Sequence, residues 1–328
     1  MSGRGGDRSG PSWLRRTLWK LRHPVSSFRI RRRSGNARVG AEELAEALEF
    51  LRYEQWRLGE MLRTHLLDYA PGSTSADARQ TRASFDYQWE NLSSGAFLPS
   101  DSSFIESTPH LLCQWTGLRE DWFPGRRVLD LGCGLGRFTH GLLRLGAQVT
   151  ASDQSANGLK RTHELCSEWA ESLTLLQRDL LDWDEEADFD LVFCYGVVHH
   201  TGNTYRAIRN AATKVRPGGR LFLMVYGYPE TLAEYRELNT YESLRREFRG
   251  MPLDERKQTL LERYGPDLAH GYFDAVSPRI NDLLSFEEIR FLLESLGFGD
   301  VRRTADSRNH HLVADRCLPT EKGEEPST

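Results

Sequence analysis

The sequence predicts an α/β fold with an open, mostly parallel sheet of seven strands and helices on both faces. Between about residues 127 and 226, apolar strand-like runs alternate with helical patterns, which is typical of a parallel sheet. Two further strand patterns near the C-terminus are joined by a polar turn, which predicts an antiparallel hairpin as the last part of the sheet.

The sheet is organised around one stretch near its start. An apolar run at Val128–Leu131 predicts a buried strand, and Gly132, Gly134 and Gly136 follow on alternate positions. A helical pattern comes next, and then a second strand that ends at Asp153. A strand, a glycine loop, a helix, a second strand and an acid together indicate the opening of a nucleotide-binding sheet.

The remaining elements of the sheet follow in order. The helix predicted at 205–215 ends in the tight turn 216–219, and a polar helical insertion at 229–283 interrupts the alternation. A helix at 286–296 precedes the hairpin. The later strands are predicted at residues 148–152, 173–178, 190–195, 220–226, 301–305 and 311–314.

Helical segments are also predicted before the sheet. Residues 41–67 carry an apolar stripe that must pack on the main domain, on itself, or on a second copy in a homodimer. Phe85, Tyr87 and Trp89 stand on alternate positions and either pack on the body or form walls of a small-molecule site. The predicted organisation is a basic arm (1–40), a helical extension or lid (41–122), the sheet domain (123–317) with its insertion on the substrate side, and an acidic tail (318–328).

Charge is distributed unevenly along the chain. Residues 1–40 hold eleven Lys or Arg against one acid, whereas the remainder holds 32 basic against 46 acidic side chains, although the net charge is only −4. The acidic body argues against a nucleic-acid partner. Residues 13–33 of the arm are either a solvated leader or a basic amphipathic segment that contacts an anionic membrane surface.

Composition predicts a cytoplasmic protein, peripheral to the membrane if the arm binds there. Hydrophobic residues make up 39% of the chain, without an apolar run long enough to span a bilayer and without a secretory signal. The five cysteines show neither a CxxC pair nor metal-ligand spacing, so we expect reduced thiols and no metal site.

The glycine spacing G-x-G-x-G differs from the G-x-G-x-x-G of dinucleotide sites. It suits S-adenosylmethionine (SAM), which has no pyrophosphate and needs only a close backbone approach. Asp130 can reach the ammonium end through water, and Asp153 can accept from both ribose hydroxyls. Asp179 and the amide of Leu180 suit the adenine, and Tyr195 lies below the transferable methyl. The predicted cofactor residues are Asp130, Gly132, Cys133, Gly134, Gly136, Asp153, Gln154, Asp179, Leu180 and Tyr195.

These stretches resemble the class I SAM-dependent methyltransferases. VLDLGCGLGRFT resembles their first motif, TASDQS and LLQRDLLDW the next two, and DLVFCYGVVHHTGN and VRPGGRLFLMVYG those of the fourth and fifth strands. The resemblance covers about residues 125–227 and implies a Rossmann-like sheet with an antiparallel last strand and SAM as cofactor. A weaker resemblance at 84–92 implies a bacterial branch that acts on small molecules.

Methyl transfer from a sulfonium is an in-line displacement, and a hydroxyl acceptor must also lose its proton. His199 and His200 are the candidate bases, unless the pair only forms the start of a helix. Tyr87, Trp89 and Tyr226 are candidate walls of the acceptor site. No NPPY-type motif follows the fourth strand, which argues against N-methylation of purine or glutamine amino groups.

The sequence therefore predicts O-methylation of a small molecule, a glycan precursor or a lipid-like acceptor. Two alternatives stay open at this point: an RNA or protein methyltransferase that uses the basic arm, and a SAM-binding regulatory protein without turnover.

Overall fold

The computed structural model describes residues 41–66, 75–91 and 102–318. The chain divides into two compact units, Met1–Glu49 and Phe50–Thr328. The described part of the first unit is the beginning of one helix, and the second unit contains the sheet. The predicted basic arm, with its membrane-contact segment 13–33, and the acidic tail from residue 319 lie outside the described residues.

The described elements follow the predicted alternation of strands and helices. The helices are α1 Ala41–Leu66, α2 Ser75–Asn91, α3 Ser102–Thr116, α4 Arg137–Arg144, α5 Ala156–Leu165, α6 Thr204–Thr213, α7 Leu232–Glu247, α8 Leu253–Val276 and α9 Phe286–Ser295. The strands are β1 Arg127–Leu131, β2 Gln148–Asp153, β3 Leu173–Gln177, β4 Phe189–Tyr195, β5 Val215–Val225, β6 Phe298–Arg303 and β7 His310–Arg316.

The seven strands form one sheet in the order β3-β2-β1-β4-β5-β7-β6. Strands β1 to β5 pair in parallel, and β7 pairs antiparallel with both β5 and β6. The predicted fold class is confirmed. The strand order reverses between β1 and β4, which is where open α/β sheets bind their ligands.

Two predicted boundaries are wrong for a physical reason. Strand β5 begins at Val215 because Val215 pairs with Phe189, and the predicted turn 216–219 is an irregularity inside the strand. The sequence at 104–122 also predicts a single helix that leads up to the sheet, but α3 stops at Thr116 because Gly117 has a φ of +66°. A separate turn of 3-10 helix follows at Glu120–Trp122.

The core lies on both faces of the sheet, because neighbouring residues of a strand point to opposite sides. Val128 belongs to one buried cluster and Leu129 to the other. The helices α7 and α8 of the insertion bury a third cluster of their own around Phe248, Leu260 and Phe273.

The insertion is closed at its base. Gly227 and Leu284 form an isolated parallel bridge, in which Leu284 N–H donates to the Tyr226 carbonyl (3.0 Å). Within the insertion, Gly265 has a φ of +75° and Pro266 follows it, so α8 is kinked there. The chain thus leaves and re-enters the sheet domain at one point.

Helix α1 confirms the helix predicted at 41–67, and the predicted homodimer through it stays a prediction. In the first unit, Leu44 and Leu48 are 56% and 49% exposed. Among the described residues, none of the helices has the length and apolar character needed to cross a bilayer.

Candidate functional site

A cavity of about 280 Å³ opens at the carboxyl ends of the parallel strands. It lies at the reversal of strand order and is covered by α2 and by the last part of α8. Most of the predicted cofactor residues line it: Gly132, Cys133, Gly134, Asp153, Gln154, Asp179, Leu180 and Tyr195. Asp130 and Gly136 do not line the cavity and lie behind it. The folded chain therefore brings one tip each of β1, β2, β3 and β4 to a single site.

Packing against neighbouring side chains requires glycine at two positions of the glycine loop. Gly132 has a φ of +78°, and a Cβ there would lie 2.2 Å from Val197 Cγ2. A Cβ at Gly136 would lie 2.8 Å from Thr162. The predicted reason for these two glycines, a close approach to the cofactor, is therefore incomplete, since packing alone already excludes a side chain.

Asp153 stands at the tip of β2 and holds the loop. Its carboxylate accepts from Gly134 N–H (2.9 Å) and Ser155 N–H (2.8 Å). Burial raises the pKa of this carboxyl, and the two amide hydrogen bonds oppose that rise. Each carboxylate oxygen has capacity for a further hydrogen bond, and Asp153 lines the cavity, so ribose hydroxyls could still donate to it.

Asp130 is a buried acid inside β1. It is 2% exposed and accepts from Thr139 Oγ1 at 2.6 Å. Burial raises the pKa of its carboxyl to about 7, although the hydrogen bond from Thr139 lowers it. An acid held partly neutral in this way would ionise if a cation came near it.

The adenine end carries a residue that the sequence did not reveal. Arg82 of α2 donates from Nη2 to Asp179 Oδ2 (3.0 Å) and from Nε to Gln154 Oε1 (2.9 Å). Asp179 also accepts from Leu181 N–H through its other oxygen (2.9 Å). Helix α2 therefore spans this end of the cavity through contacts with two predicted cofactor residues.

The two candidate bases have different surroundings. His200 lines the cavity, and its Nδ1 lies 2.8 Å from the Ile280 carbonyl. A carbonyl oxygen only accepts, so Nδ1 carries the proton and Nε2 keeps its lone pair. Burial lowers the pKa of His200 to about 4, which keeps the ring neutral at pH 7.

His199 is completely buried, stacks on Tyr226 at 3.9 Å and does not line the cavity. Neither of its ring nitrogens has a hydrogen-bond partner among the described residues. Burial lowers its pKa well below the usual value. Of the pair, only His200 lines the cavity.

Of the aromatic residues predicted to form walls of the site, some line the cavity and others do not. Phe85 and Trp89 stand four residues apart on helix α2, stack at 6.1 Å and line the cavity. Tyr87 lies on another face of that helix and stacks on Phe273 at 5.7 Å. The alternate positions noted in the sequence do not determine which of these aromatic residues line the cavity, because in a helix it is positions i and i+4 that share a face.

Tyr226 supports the cavity without lining it. Its hydroxyl donates to Asp274 Oδ2 at 3.0 Å, and Asp274 lines the cavity. Burial raises the pKa of the Asp274 carboxyl to about 6, although the hydrogen bond from Tyr226 lowers it. Tyr226 is thus connected to the cavity through Asp274, and its predicted contact with an acceptor stays a prediction.

Sequence reasoning missed several polar residues at this end. Gln88 is 4% exposed, lines the cavity, and has no partner for Oε1 among the described residues. Arg137 follows the glycine loop directly, so its place could have been inferred from the motif. Gln88 and Asp274 lie in polar helical stretches that carry no such signal.

Across residues 41–66, 75–91 and 102–318, no three His, Cys, Asp or Glu side chains lie close enough together to bind a metal ion.

Comparison with known proteins agrees with this geometry. Residues 128–219 match the family described as "Methyltransferase domain". Residues 128–219 are thus similar to a methyltransferase domain. The matched region begins at β1 and includes the glycine loop, Asp153, Asp179 and His200, and the sheet of the chain confirms the Rossmann-like architecture that the resemblance implied.

The curated relatives are similar over one part of the chain. The ubiquinone biosynthesis O-methyltransferase of Xanthomonas campestris pv. campestris (strain B100) is 38% identical over 102 residues, which are 30% of this chain and 43% of the relative. The chain thus matches less than half the length of these relatives.

Solved methyltransferase structures resemble the chain more distantly. The 1,6-didemethyltoxoflavin-N1-methyltransferase of Burkholderia thailandensis, with S-adenosylhomocysteine bound, has 18% identity and a TM-score of 0.47 over 75% of this chain and 92% of its own. The magnesium protoporphyrin IX methyltransferase of Synechocystis PCC 6803 has 18% identity and a TM-score of 0.42 over 78% and 96%.

Proposed function

We propose that this protein is a SAM-dependent methyltransferase that methylates a hydroxyl oxygen of a small molecule. The observation that carries the proposal is the content of one cavity: a glycine loop, carboxylates at two neighbouring strand tips, and one neutral histidine with a free Nε2 lone pair. The cytoplasmic location and the peripheral membrane contact expected from the sequence remain proposals of the same kind.

The residues present fit the cofactor at each of its parts. Asp153 would hold the ribose hydroxyls, Asp179 and the amide of Leu180 the adenine, and Asp130 the ammonium group through water. Gly134, whose amide already orients Asp153, lies against the Trp89 ring, which a Cβ at this position would approach to 3.1 Å. Bound there, SAM supplies an electrophilic methyl group on a sulfonium.

His200 takes the proton that the acceptor hydroxyl loses. The Ile280 carbonyl fixes its tautomer, and the rings of Phe85 (4.9 Å) and Tyr226 (5.4 Å) fix its orientation. Because the ring stays neutral at pH 7, its Nε2 is ready to accept without first losing a proton. Exclusion of water by α2 and α8 serves the same step.

The aromatic walls and the weak basicity of His200 together favour a phenolic or enolic hydroxyl. Moving a proton from a phenol, whose pKa is about 10, to an imidazole with a pKa of about 4 costs about 8 kcal/mol. An aliphatic hydroxyl has a pKa near that of water, about 16, so the same transfer costs about 16 kcal/mol. A flat acceptor also fits beside Phe85 and Trp89.

Asp274 and Gln88 provide polar contacts for the rest of the acceptor. Both side chains face the cavity from elements outside the methyltransferase match, α8 and α2. The ionised Asp274 accepts hydrogen bonds, so the acceptor carries a second donor group such as another hydroxyl. The name of the 38% identical relatives, an O-methyltransferase, supports the choice of oxygen.

The test combines cofactor binding with product identification. The full chain is mixed with SAM labelled in its methyl group and with a cell extract treated with RNase and protease. We expect S-adenosylhomocysteine (SAH) to form together with a labelled small molecule whose methyl group is on a phenolic or enolic oxygen. His200→Gln should lower turnover about 100-fold, the lower limit of general-base effects, and leave the dissociation constant of SAM unchanged.

Three results would contradict the proposal. If SAM does not bind, or does not raise the melting temperature, the assignment of SAM as the cofactor is wrong. Binding without SAH formation would favour a regulatory protein, and label that appears only in untreated RNA or protein fractions would favour a macromolecular acceptor.

A further inference from the structure

The backbone of one residue, Ile280, lies between helix α2 and the candidate base. The Ile280 N–H donates to Thr81 Oγ1 at 3.0 Å, and the Ile280 carbonyl accepts from His200 Nδ1 at 2.8 Å. Thr81 and His200 are therefore joined through the two polar groups of a single residue. All three belong to separate parts of the chain that meet only in the folded structure.

This connection is shielded from water. Thr81 is 3% exposed, Ile280 5% and His200 9%. A buried backbone N–H that loses its acceptor has no water to replace it, so the peptide would turn or shift to find another partner. The N–H belongs to the 279–280 peptide group and the carbonyl to the 280–281 peptide group, and the two share the Ile280 Cα. A shift of the backbone at Ile280 therefore also displaces the carbonyl that sets the tautomer of His200.

Helix α2 braces the same segment at neighbouring points. Gln80 Nε2 donates to the Ser277 carbonyl at 3.0 Å, and Arg279 N–H donates to Gln80 Oε1 at 2.9 Å. These contacts hold residues 277–279 without touching Ile280. The chain thus offers a natural comparison between a contact that secures the segment and a contact that reaches the base.

The next residue on the helix serves the other end of the site. Arg82 contacts Gln154 and Asp179 at the adenine end, whereas Thr81 faces the Ile280 peptide. Two neighbouring side chains on one helix therefore act on opposite ends of the cavity.

We infer that Thr81 is a positioning residue for His200, acting through the backbone of Ile280. The inference rests on the proposed function, in which His200 accepts the proton of the acceptor. With Thr81 in place, the Ile280 carbonyl keeps the proton on Nδ1 and the lone pair on Nε2. Without it, part of the population carries the proton on Nε2, which cannot then accept from the acceptor.

The experiment measures the histidine ring directly in the full-length protein. The ¹⁵N imidazole resonances are recorded with saturating SAH, and His200→Gln identifies those of His200. We expect the Nδ1–H form in the natural protein and a mixture of both tautomers in Thr81→Val, which keeps the shape but removes the acceptor. Turnover of the acceptor found by the labelling assay should fall about tenfold in Thr81→Val, with the KM for SAM unchanged.

Three variants separate positioning from general stability. Thr81→Ser keeps the hydroxyl and should restore both the tautomer and the turnover. Gln80→Leu removes the neighbouring brace and should lower the melting temperature without changing the tautomer. Arg82→Gln should weaken SAH binding about fivefold, as loss of one exposed ion pair allows, and leave His200 unchanged.

An unaltered His200 tautomer in a folded Thr81→Val protein would overturn the inference, and so would Thr81→Ser behaving like Thr81→Val. If Thr81→Val does not fold, Thr81→Ala is measured instead with the same two criteria. Failure of the proposed function has a different signature, because the tautomer would still respond to Thr81 while the natural protein formed no methylated product.

Discussion

The two ends of the cavity are built in different ways. The cofactor end consists of strand tips and the loops that follow them, so its residues sit at fixed offsets from buried strands. The acceptor end consists of side chains from α2 and α8, which reach the cavity from a lead-in helix and from an insertion. The first end follows from a parallel sheet, and the second follows from contacts between elements far apart in sequence.

Because of this difference, substitutions at the two ends of the cavity should have different effects. A strand tip has one backbone path, so a change there affects both folding and cofactor binding. A helix that lies over the cavity can change a side chain without changing the sheet, so substitutions of its residues at the acceptor end should alter acceptor binding or turnover alone. The following predictions test that separation.

The largest effect is expected in the glycine loop. Gly132→Ala places a Cβ 2.2 Å from Val197 Cγ2 at a φ of +78°. We expect it to lower the free energy of unfolding in urea by about 3 kcal/mol or more and to abolish SAH binding. Gly125→Ala is the matched control, since Gly125 has a φ of +72° but open space around it, and it should cost only about 1 kcal/mol. Equal losses would show that backbone strain, and not packing, is the cause.

The carboxylate at the tip of β2 should dominate cofactor affinity. Asp153→Ala removes two charge-assisted hydrogen bonds to the ribose, which corresponds to an increase of about 100-fold in the dissociation constant of SAH measured by calorimetry. Asp188→Ala, at an exposed acid before β4, should leave that constant unchanged. If the dissociation constant of SAH rises less than about threefold in Asp153→Ala, residues other than Asp153 bind the ribose.

At the acceptor end, Asp274→Asn should affect the acceptor and not the cofactor. The pKa of Asp274 is raised to about 6, so the carboxylate forms as the pH rises through that value. We therefore expect kcat/KM for the acceptor to increase between pH 5 and 7 in the natural protein. In the variant this step should disappear, with a loss of about tenfold at pH 8.

Binding of SAH should stay within about twofold of normal in Asp274→Asn, as it should in the control Glu255→Gln, an exposed acid at the start of the same helix. A parallel loss of SAH affinity in Asp274→Asn alone would place Asp274 at the cofactor end.

The smallest expected effect is the release of a proton from Asp130 when SAH binds. Asp130 has a pKa of about 7, so most of it is neutral at pH 6, and an ammonium group nearby would favour the carboxylate. We expect SAH binding at pH 6 to release about half a proton or more, seen as a dependence of the binding enthalpy on buffer ionisation. The release should fall away at pH 8.5, where Asp130 is already ionised, and should be absent in Asp130→Asn. A release that persists in Asp130→Asn would have to come from another group.

The sequence anticipated the fold, and it anticipated that most of the predicted cofactor residues would line one cavity. The run from Val128 to Asp153 combines strand, glycine and acid patterns that hardly any other structure satisfies, and the hairpin at the C-terminus had its own alternation. Asp190 stands near the start of β4, outside the cavity lining, where it accepts from Arg127 N–H and Arg216 Nε.

The acceptor end could not be predicted, for a geometric reason. Whether Tyr87 or Trp89 faces the cavity depends on α2 being a helix and on how that helix is rotated. Asp274 and His270 reach the cavity after the kink at Gly265, where α8 changes direction. Neither rotation nor kink angle is encoded in a local motif, so His199 and His200 also looked equivalent until their neighbours were visible.

The closed base of the insertion has a consequence for how such a protein can diverge. Since Gly227 and Leu284 meet in a bridge, the segment between them is a loop whose ends are already joined. Doubling the length of a closed loop costs only about 0.6 kcal/mol in chain entropy. New acceptors can therefore be acquired by exchanging this loop as a cassette, while the strands that carry the donor site keep their register.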